Sequence, residues 1–454
     1  MRIPPELADE VVEAGRAVVG VVPFQLTPRT VVAAQHVVGY VSRGAEGATH
    51  SGEVGVDGLE ATFDWALGSG DAGEVMLSVD GRGECMAGLG AWASHQSARG
   101  SVSTTIDLPL QQVAEAALKA AGKGTTAGAA GAVVVLDVAT GQVLAMASTP
   151  TYDAQNLTGA MSSPGAPLLN RAVRPYYPGS VFKVVVAAAA LEAGISAYTW
   201  EYIDEGFIDV GDNIVRCAAY ERGGHGRVGM AEMLAHSCNT AAIVLAAQTG
   251  GGAVRAQAKA FGVGDPTLAG RLHLQGASSG RVAPLSDLSS EAGLANLALG
   301  QLHVEMTPVE AAAMMACIAG DGQMVIPSLV LEAEDASGRR MMYPRSLKGD
   351  RAISPGTAAT LRRMLETAAT EGTASAVLAG LSCAGKTGTA QTGRLDSAGS
   401  PVYNAWFAGY APAQKPSIAV AVVLESGRSG ADVAAPVFRE IVQFWTRTEG
   451  AASS

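Results

Sequence analysis

"YYPGSVFKVVVAAAALEAG", Tyr176 to Gly194, places a Ser and a Lys three residues apart at the front of an apolar, Ala-rich run. Pro178 and Gly179 break the chain just before it, so a helix is expected from about residue 180 to 194. Ser180 then stands in or near the first turn. Free backbone N–H groups and the positive end of the helix dipole gather there, and both favour a developing oxyanion. Lys183 falls on the same helix face, within reach of the Ser hydroxyl. The chain has seven lysines, and this one lies in its most hydrophobic stretch. An apolar setting or a second cation lowers a Lys pKa and lets the amine take a proton. The pair reads as a nucleophile with its base. The plain alternative is an N-cap Ser beside a Lys that snorkels to solvent.

Two further motifs decide between these readings. This is the only Ser-x-x-Lys in the chain. Ser237-Cys238-Asn239 lies 57 residues after Ser180, in "LAHSCNTAAIVLAA". Lys386-Thr387-Gly388-Thr389 follows 149 residues after Ser237, in the strand-like "CAGKTGTAQ". Each triplet alone is weak, because Ser and Asn also cap helices and Lys-Thr-Gly can be an ordinary strand end. In this order and context they form the signature set of penicillin-binding proteins and class A β-lactamases. The sequence resembles the transpeptidase domain of penicillin-binding proteins over roughly residues 101–447. "TTIDLPLQ", "GAVVVLDVATGQVLAMASTPTYD", "LLNRAVRPYYPGSVFK", "GQLHVEMTPVEAA" and "AWFAGYAP" look like family blocks. Before them, "HVVGY" and "GVDGLEATFDWAL" resemble the end of the pedestal domain of class B members, which lack a glycosyltransferase domain.

The resemblance implies a D,D-transpeptidase acting on peptidoglycan stem peptides and acylated by β-lactam antibiotics. Ser180 would attack the D-Ala-D-Ala carbonyl with Lys183 as base. Ser237 would relay a proton to the leaving amine, and Asn239 would bind substrate backbone and help hold Lys183. Lys386 would add positive potential and hydrogen-bond the Ser237 region. Thr387 and Thr389 would bind the terminal carboxylate, and Gly388 would let substrate lie along the strand, as in β-augmentation. The backbone N–H groups of Ser180 and Thr389 would form the oxyanion hole. No cofactor or metal is expected. A membrane glycosyltransferase partner, and a place on the extracytoplasmic face of the bacterial cell membrane, are expected of the full-length protein.

The rest of the chain suits that picture. Its 454 residues are 48% hydrophobic and 16% charged, which suits a large globular core and not a disordered chain. The net charge is −11 and no Lys/Arg-rich run appears, so nucleic acid is excluded as a partner. No apolar run reaches the roughly 18–20 residues that span a bilayer, and "MRIPPELADE" lacks the apolar core of a signal peptide. The membrane anchor of a class B member is thus expected to be missing from this stretch. "LPLQQVAEAALKAAG" reads as an amphipathic helix and "GAVVVLDVATGQVLAMAST" as a hairpin turning at Ala139-Thr140-Gly141. Helices are expected around 229–262, 306–319 and 355–378, then three strands and the closing helix "DVAAPVFREIVQFW". Strands from both ends with helices between them predict an α+β fold, a central, mostly antiparallel sheet flanked by helices. Residues 1–100, which lack Lys, read as a partial pedestal domain, and residues 101–454 as the transpeptidase domain.

There are five cysteines: Cys85, Cys217, Cys238, Cys317 and Cys383. The density is too low for a disulfide scaffold. Cys317, in "AAAMMACIAG", reads as a core residue. Family members with Cys at the places of Cys217 and Cys238 imply a reversible disulfide beside the Ser237 loop, and lean toward a sporulation-type member; two unpaired core thiols are the plain reading. Cys217, His225, His236 and Cys238 are zinc-type residues, but their spacing lacks the close ligand pairs of common zinc sites. A β-lactamase would need a Glu-x-x-Leu-Asn loop, and Glu291-Ala-Gly-Leu294-Ala-Asn296 is one residue too long. A β-lactam-binding sensor remains the other rival. An α/β-hydrolase is excluded, since Pro178 and Phe182 stand where Gly-x-Ser-x-Gly needs glycines.

Overall fold

A computed structural model of the protein describes residues 31–43, 53–68, 75–76, 82, 92–93, 100–122, 130–154, 156–395, 399–426 and 428–452. Cys85, and most of the expected N-terminal domain, lie outside the described residues.

Five strands make the central sheet: β1 (Ala130–Asp137), β2 (Val143–Thr149), β3 (Ala384–Leu395), β4 (Pro401–Ala411) and β5 (Ile418–Ser426). Their order is β3-β4-β5-β1-β2, and every neighbouring pair is antiparallel. The hairpin turns at Gly141, whose φ of 78° is a left-handed conformation that glycine adopts without strain. Both faces of the sheet are covered, so β1 and β5 read as continuous apolar runs and not as an alternation. Val133, Val135, Val420 and Val422 pack on one side against α1 (Leu108–Ala121) and the closing helix, which runs Gly430–Ala452. Ala132, Val134, Leu136, Ala421 and Val423 face the helical middle of the chain.

That middle is built around α2 (Lys183–Glu192), buried from Lys183 to Ala190. A helix that is apolar on all sides belongs inside, not on a surface. Around it pack α3 (Asn239–Thr249) and the helix Pro355–Glu371, while α4 (Pro308–Ala319) lies in the same core against β1 and β5. Thr307 and Glu310 close a reciprocal capping box at the start of α4, with Pro308 in the first turn. Cys317 is fully buried on α4. The expected helix over 229–262 is three helices, Met230–Ala235, α3 and Gly251–Ala260, interrupted at Ser237 and at Gly250.

Of the N-terminal residues, Val37, Leu59 and Phe63 join the same core as α2. Backbone from this part docks by polar contacts too: Ala34 N donates to Glu115 Oε1 (2.6 Å) and Tyr152 OH to Gln35 O (3.1 Å). No helix among the described residues is long and apolar enough to cross a membrane.

Candidate active site

Ser180 lies in a 3₁₀ turn, Gly179–Phe182, that runs straight into α2. Three contacts fix this turn. Tyr176 exchanges backbone hydrogen bonds with Met306 (2.9 and 2.8 Å). Trp406 Nε1 on β4 donates to Tyr177 O (2.9 Å). Gly179 N donates to Gly300 O (3.0 Å). Two glycines make the approach possible. A Cβ on Gly388 would lie 2.7 Å from Pro178 O and 3.0 Å from Trp406 Cβ; one on Gly300 would lie 2.1 Å from Gly179 O. The bare Cα of Gly388 therefore lets the backbone that leads into Ser180 lie close against the edge strand.

Lys183 is fully buried. Its Nζ donates to Ser237 O (2.6 Å), Ser237 Oγ (3.3 Å) and Asn239 Oδ1 (2.7 Å). Burial lowers its pKa to about 7. Among the described residues no hydrogen bond joins Ser180 Oγ to Lys183; such contacts commonly tighten only when substrate binds. Ser237 has a φ of 56°, a left-handed conformation rare outside glycine, which turns its carbonyl toward Lys183. Cys238, not Ser237 or Asn239, takes the N-cap position of α3, and its side chain caps nothing. Asn239 is thus free for Lys183 on one side and, through Nδ2, for Arg216 O (3.1 Å) on the other.

The Lys386 motif lies on β3, the sheet's edge strand, in register with β4 through Lys386↔Ala408 and Gly388↔Trp406. Lys386 is 2% exposed, and its pKa is well below the ordinary value because of burial and the nearby charge of Lys183. Its Nζ donates to Thr387 O (3.1 Å) and Thr387 Oγ1 (3.3 Å), not to the Ser237 loop. Thr387 Oγ1 also shares a 2.7 Å hydrogen bond with Thr373 Oγ1. Thr389 is exposed on the open edge, where its Oγ1 accepts from Gly430 N (3.3 Å). Two buried amines, an exposed edge strand and a hydroxyl at a helix start can bind an extended acyl donor beside a nucleophile and take up its proton.

The family model for the penicillin binding protein transpeptidase domain matches residues 131–443. The chain belongs to this family. It is 35% identical over 366 residues to "Peptidoglycan D,D-transpeptidase PbpA" of Mycolicibacterium smegmatis, covering 76% of this chain and 72% of that protein. Penicillin-binding protein A of Mycobacterium tuberculosis, solved as its penicillin G acyl-enzyme complex, superposes with a TM-score of 0.66 at 31% identity, over 76% of this chain and 80% of that one. Penicillin binding protein 3 of the same organism, complexed with aztreonam, gives a TM-score of 0.73 at 28% identity, over 92% and 89%. The α+β fold expected from the sequence is that of these transpeptidases.

Some residues of this penicillin-binding protein's site carried no signal in the sequence. Asp204 is the clearest. It is fully buried behind the Ser237 loop, and its two oxygens accept hydrogen bonds from Gly206 N (2.8 Å), Thr240 Oγ1 (2.8 Å), His225 N (2.9 Å), His225 Nδ1 (2.6 Å) and Cys217 Sγ (3.0 Å). Burial alone would raise its pKa; the hydrogen bonds, led by that from Cys217, outweigh it and hold the carboxyl well below the usual range. Cys217 and Cys238 are both buried free thiols. Burial, then the Asp204 carboxylate, pushes Cys217 up to about 12, and burial raises Cys238. Glu291 starts a helix and accepts from Gly211 N (3.0 Å).

Proposed function

We infer that Ser180 is the acyl-accepting nucleophile and Lys183 its base. The chain is a serine-type peptidoglycan D,D-transpeptidase that works through an acyl-enzyme and is inhibited by β-lactams. In the first half-reaction Ser180 Oγ bonds to the carbonyl carbon of a D-Ala-D-Ala stem peptide while its proton passes to the neutral amine of Lys183. The tetrahedral oxyanion is held by the backbone N–H groups of Ser180 and Thr389. The C–N bond then breaks, and the leaving D-Ala amine takes a proton through Ser237. An amine of a second stem peptide attacks the ester, restores the Ser180 hydroxyl and leaves an amide cross-link. Lys386, Thr387 and Thr389 face the substrate's terminal carboxylate. Thr389 does so from the open strand edge, which an extended peptide would join.

The observation that carries this reading is Lys183, buried with a pKa near 7 and held between Ser237 and Asn239 one helical turn from Ser180. Near neutrality a large share of such an amine is unprotonated, as a base requires. The same reading places the protein outside the cytoplasm, where peptidoglycan lies. It divides the chain into a pedestal-like part, 1–100, and the transpeptidase part, 101–454. The first of these is the natural contact for a membrane glycosyltransferase.

Incubation with penicillin followed by intact mass measurement tests the inference. The wild type is expected to carry one stable adduct mapped to Ser180, and Ser180→Ala none. Rapid drug consumption without an adduct would make the protein a β-lactamase instead. An adduct on another residue would overturn the assignment of Ser180.

A further inference from the structure

β3 offers its backbone to the open edge at alternate residues only. In an antiparallel strand both groups of one residue point to one side, and those of the next residue to the other. Gln391 shows which residues face outward. Its N–H donates to the side-chain oxygen of Gln301 (3.1 Å), and its carbonyl accepts from the nitrogen of the same carboxamide (3.3 Å). Gln301 lies off this sheet, between the helix Glu291–Ala298 and the strand Val304–Glu305, so Gln391 faces away from β4. Pairing with β4 is unbroken from Ala384 to Gln391. By the two-residue period Thr387 and Thr389 turn their N–H and C=O to the open edge as well. Thr387 O is taken by Lys386 Nζ (3.1 Å). Gln391 is taken at both groups. Thr389 stands between them as the residue a peptide can join.

A carboxamide carries a carbonyl and an N–H donor, as a peptide unit does, so Gln301 does to Gln391 what a residue of an added strand would do. Its own backbone holds it there. Gln301 N donates to Asn296 O (2.8 Å), and His303 N closes a tight turn onto Gln301 O. Leu302, at the centre of that turn, has a φ of 45°, a conformation rare outside glycine. On the other side, Gly300 O accepts from Gly179 N (3.0 Å). The loop that supports the Ser180 turn thus also carries the side chain that covers β3 beyond Thr389. A bare edge strand invites pairing with another chain, and a covered one does not.

The direction of the acyl donor follows from the roles inferred above for Ser180, Lys386, Thr387 and Thr389. Its terminal carboxylate would lie toward Lys386 and Thr387, and its scissile carbonyl oxygen would meet Thr389 N–H. The rest of the stem peptide would then leave toward Gln391, antiparallel to β3. The penultimate D-Ala would exchange both backbone groups with Thr389, its C=O accepting from Thr389 N and its N–H donating to Thr389 O. The next pair on this edge lies two residues on, about 6.8 Å away. It would join Gln391 to the residue two places before that D-Ala. We propose that Gln301, by pairing with Gln391, ends the donor's run along β3 at Thr389. Only D-Ala-D-Ala and the residue before it then lie along the edge, and the remainder of the stem peptide turns away. Gln301 is a specificity-determining residue that acts through Gln391. The inference rests on the reading of Ser180 as nucleophile and Thr389 as oxyanion donor.

The test uses the full chain and thioester donors, in which a thiolate replaces the leaving D-Ala amine. One donor carries an acetyl group on the reactive D-Ala, and the other carries three residues there. A third is the long donor with an ester oxygen in place of the amide N–H of the residue two places before D-Ala. In the wild type Gln391 O is already paired, so the ester is expected to change kcat/KM by less than about twofold. In Gln301→Ala the ratio of long to short donor is expected to rise about tenfold, the worth of one or two hydrogen bonds, mainly through a lower KM. The ester should abolish that gain. Because the substitution can loosen the loop at Gly179, the ratio of the two donors is read and not either rate alone. An ester effect of about fivefold or more in the wild type, with penicillin still labelling Ser180, would overturn the proposal and leave the nucleophile in place. So would a ratio unchanged in Gln301→Ala, which would make Gln301 a support of the Gly179 turn only. No reaction of the wild type with penicillin or with any donor would refute the reading of Ser180, and the proposal with it.

Discussion

Lys183 Nζ lies 2.7 Å from Asn239 Oδ1, inside a core where no solvent reaches the amine. The contact ties α2, which follows directly on the Ser180 turn, to α3. It also sets the direction of the Lys183 lone pair once the amine is neutral. Asn239→Ala removes one of the acceptors and leaves the amine less well aimed. We expect penicillin acylation to slow by about 10²–10⁴-fold, the span of a misplaced general base, with near-native circular dichroism. Acylation within a factor of two of wild type would show that Asn239 does not position Lys183.

The pH profile follows from the same residue. The Lys183 pKa is lowered from 10.5 to about 7 by burial, and the base form is the deprotonated one. Acylation should therefore rise with pH through about 7 and level off above it. Stability carries the matching sign. Between about 7 and 10.5 the unfolded chain holds a proton on this amine that the folded protein lacks, so stability from this group rises with pH across that window. Below about 7 the folded protein must protonate the buried amine, and the cost is present in full. Second-order acylation rates from pH 5 to 9, with Tm at each pH, check both; a flat rate profile through 7 would exclude Lys183 as the titrating base.

Gly388→Ala drives a methyl group to within 2.7 Å of Pro178 O, on the backbone that leads into Ser180. Overpacking of this kind costs about 1–3 kcal/mol, and here the strain falls on the nucleophile's turn. Stability should drop by that amount while acylation drops by far more. Gly300→Ala, with a φ of 68° and a 2.1 Å clash on Gly179 O, should be worse in both measures. Urea unfolding beside penicillin labelling separates the two effects. Normal labelling in a destabilised Gly388→Ala protein would mean that the turn tolerates the shift.

Trp406→Phe keeps a ring in the sheet but removes the Nε1–H donor to Tyr177 O. Asn404 Nδ2 remains as a longer donor to Tyr177 O (3.4 Å), so the loss should be about 1 kcal/mol, the net worth of one hydrogen bond. Acylation should slow, because Tyr177 lies three residues before Ser180. An unchanged unfolding midpoint in urea would show that another donor replaces the indole.

The elements that the sequence made legible are those whose pattern is local. The Ala-rich run of α2 has no polar face, so it had to be central. The unbroken apolar runs of β1 and β5 had to lie between two layers. The Ser180, Ser237 and Lys386 motifs were readable because each joins a chemically committed side chain to a local conformation. The helical stretch over 229–262 was legible, but not what shapes its break at Ser237, a positive φ whose carbonyl meets Lys183 Nζ, 54 positions away.

Residue order alone therefore determined the fold class and the likeness to a penicillin-binding transpeptidase. Those depend on periodicity and on side chains a few positions apart. Only the tertiary structure decided what holds that site in shape. Asp204 looks like any strand-end carboxylate until Cys217, His225 and Thr240 close around it, and nothing near Gly388 in the sequence tells that Pro178 O approaches where its Cβ would be. Such contacts join residues that are distant along the chain, and their energies come from burial and close approach, which no local pattern records.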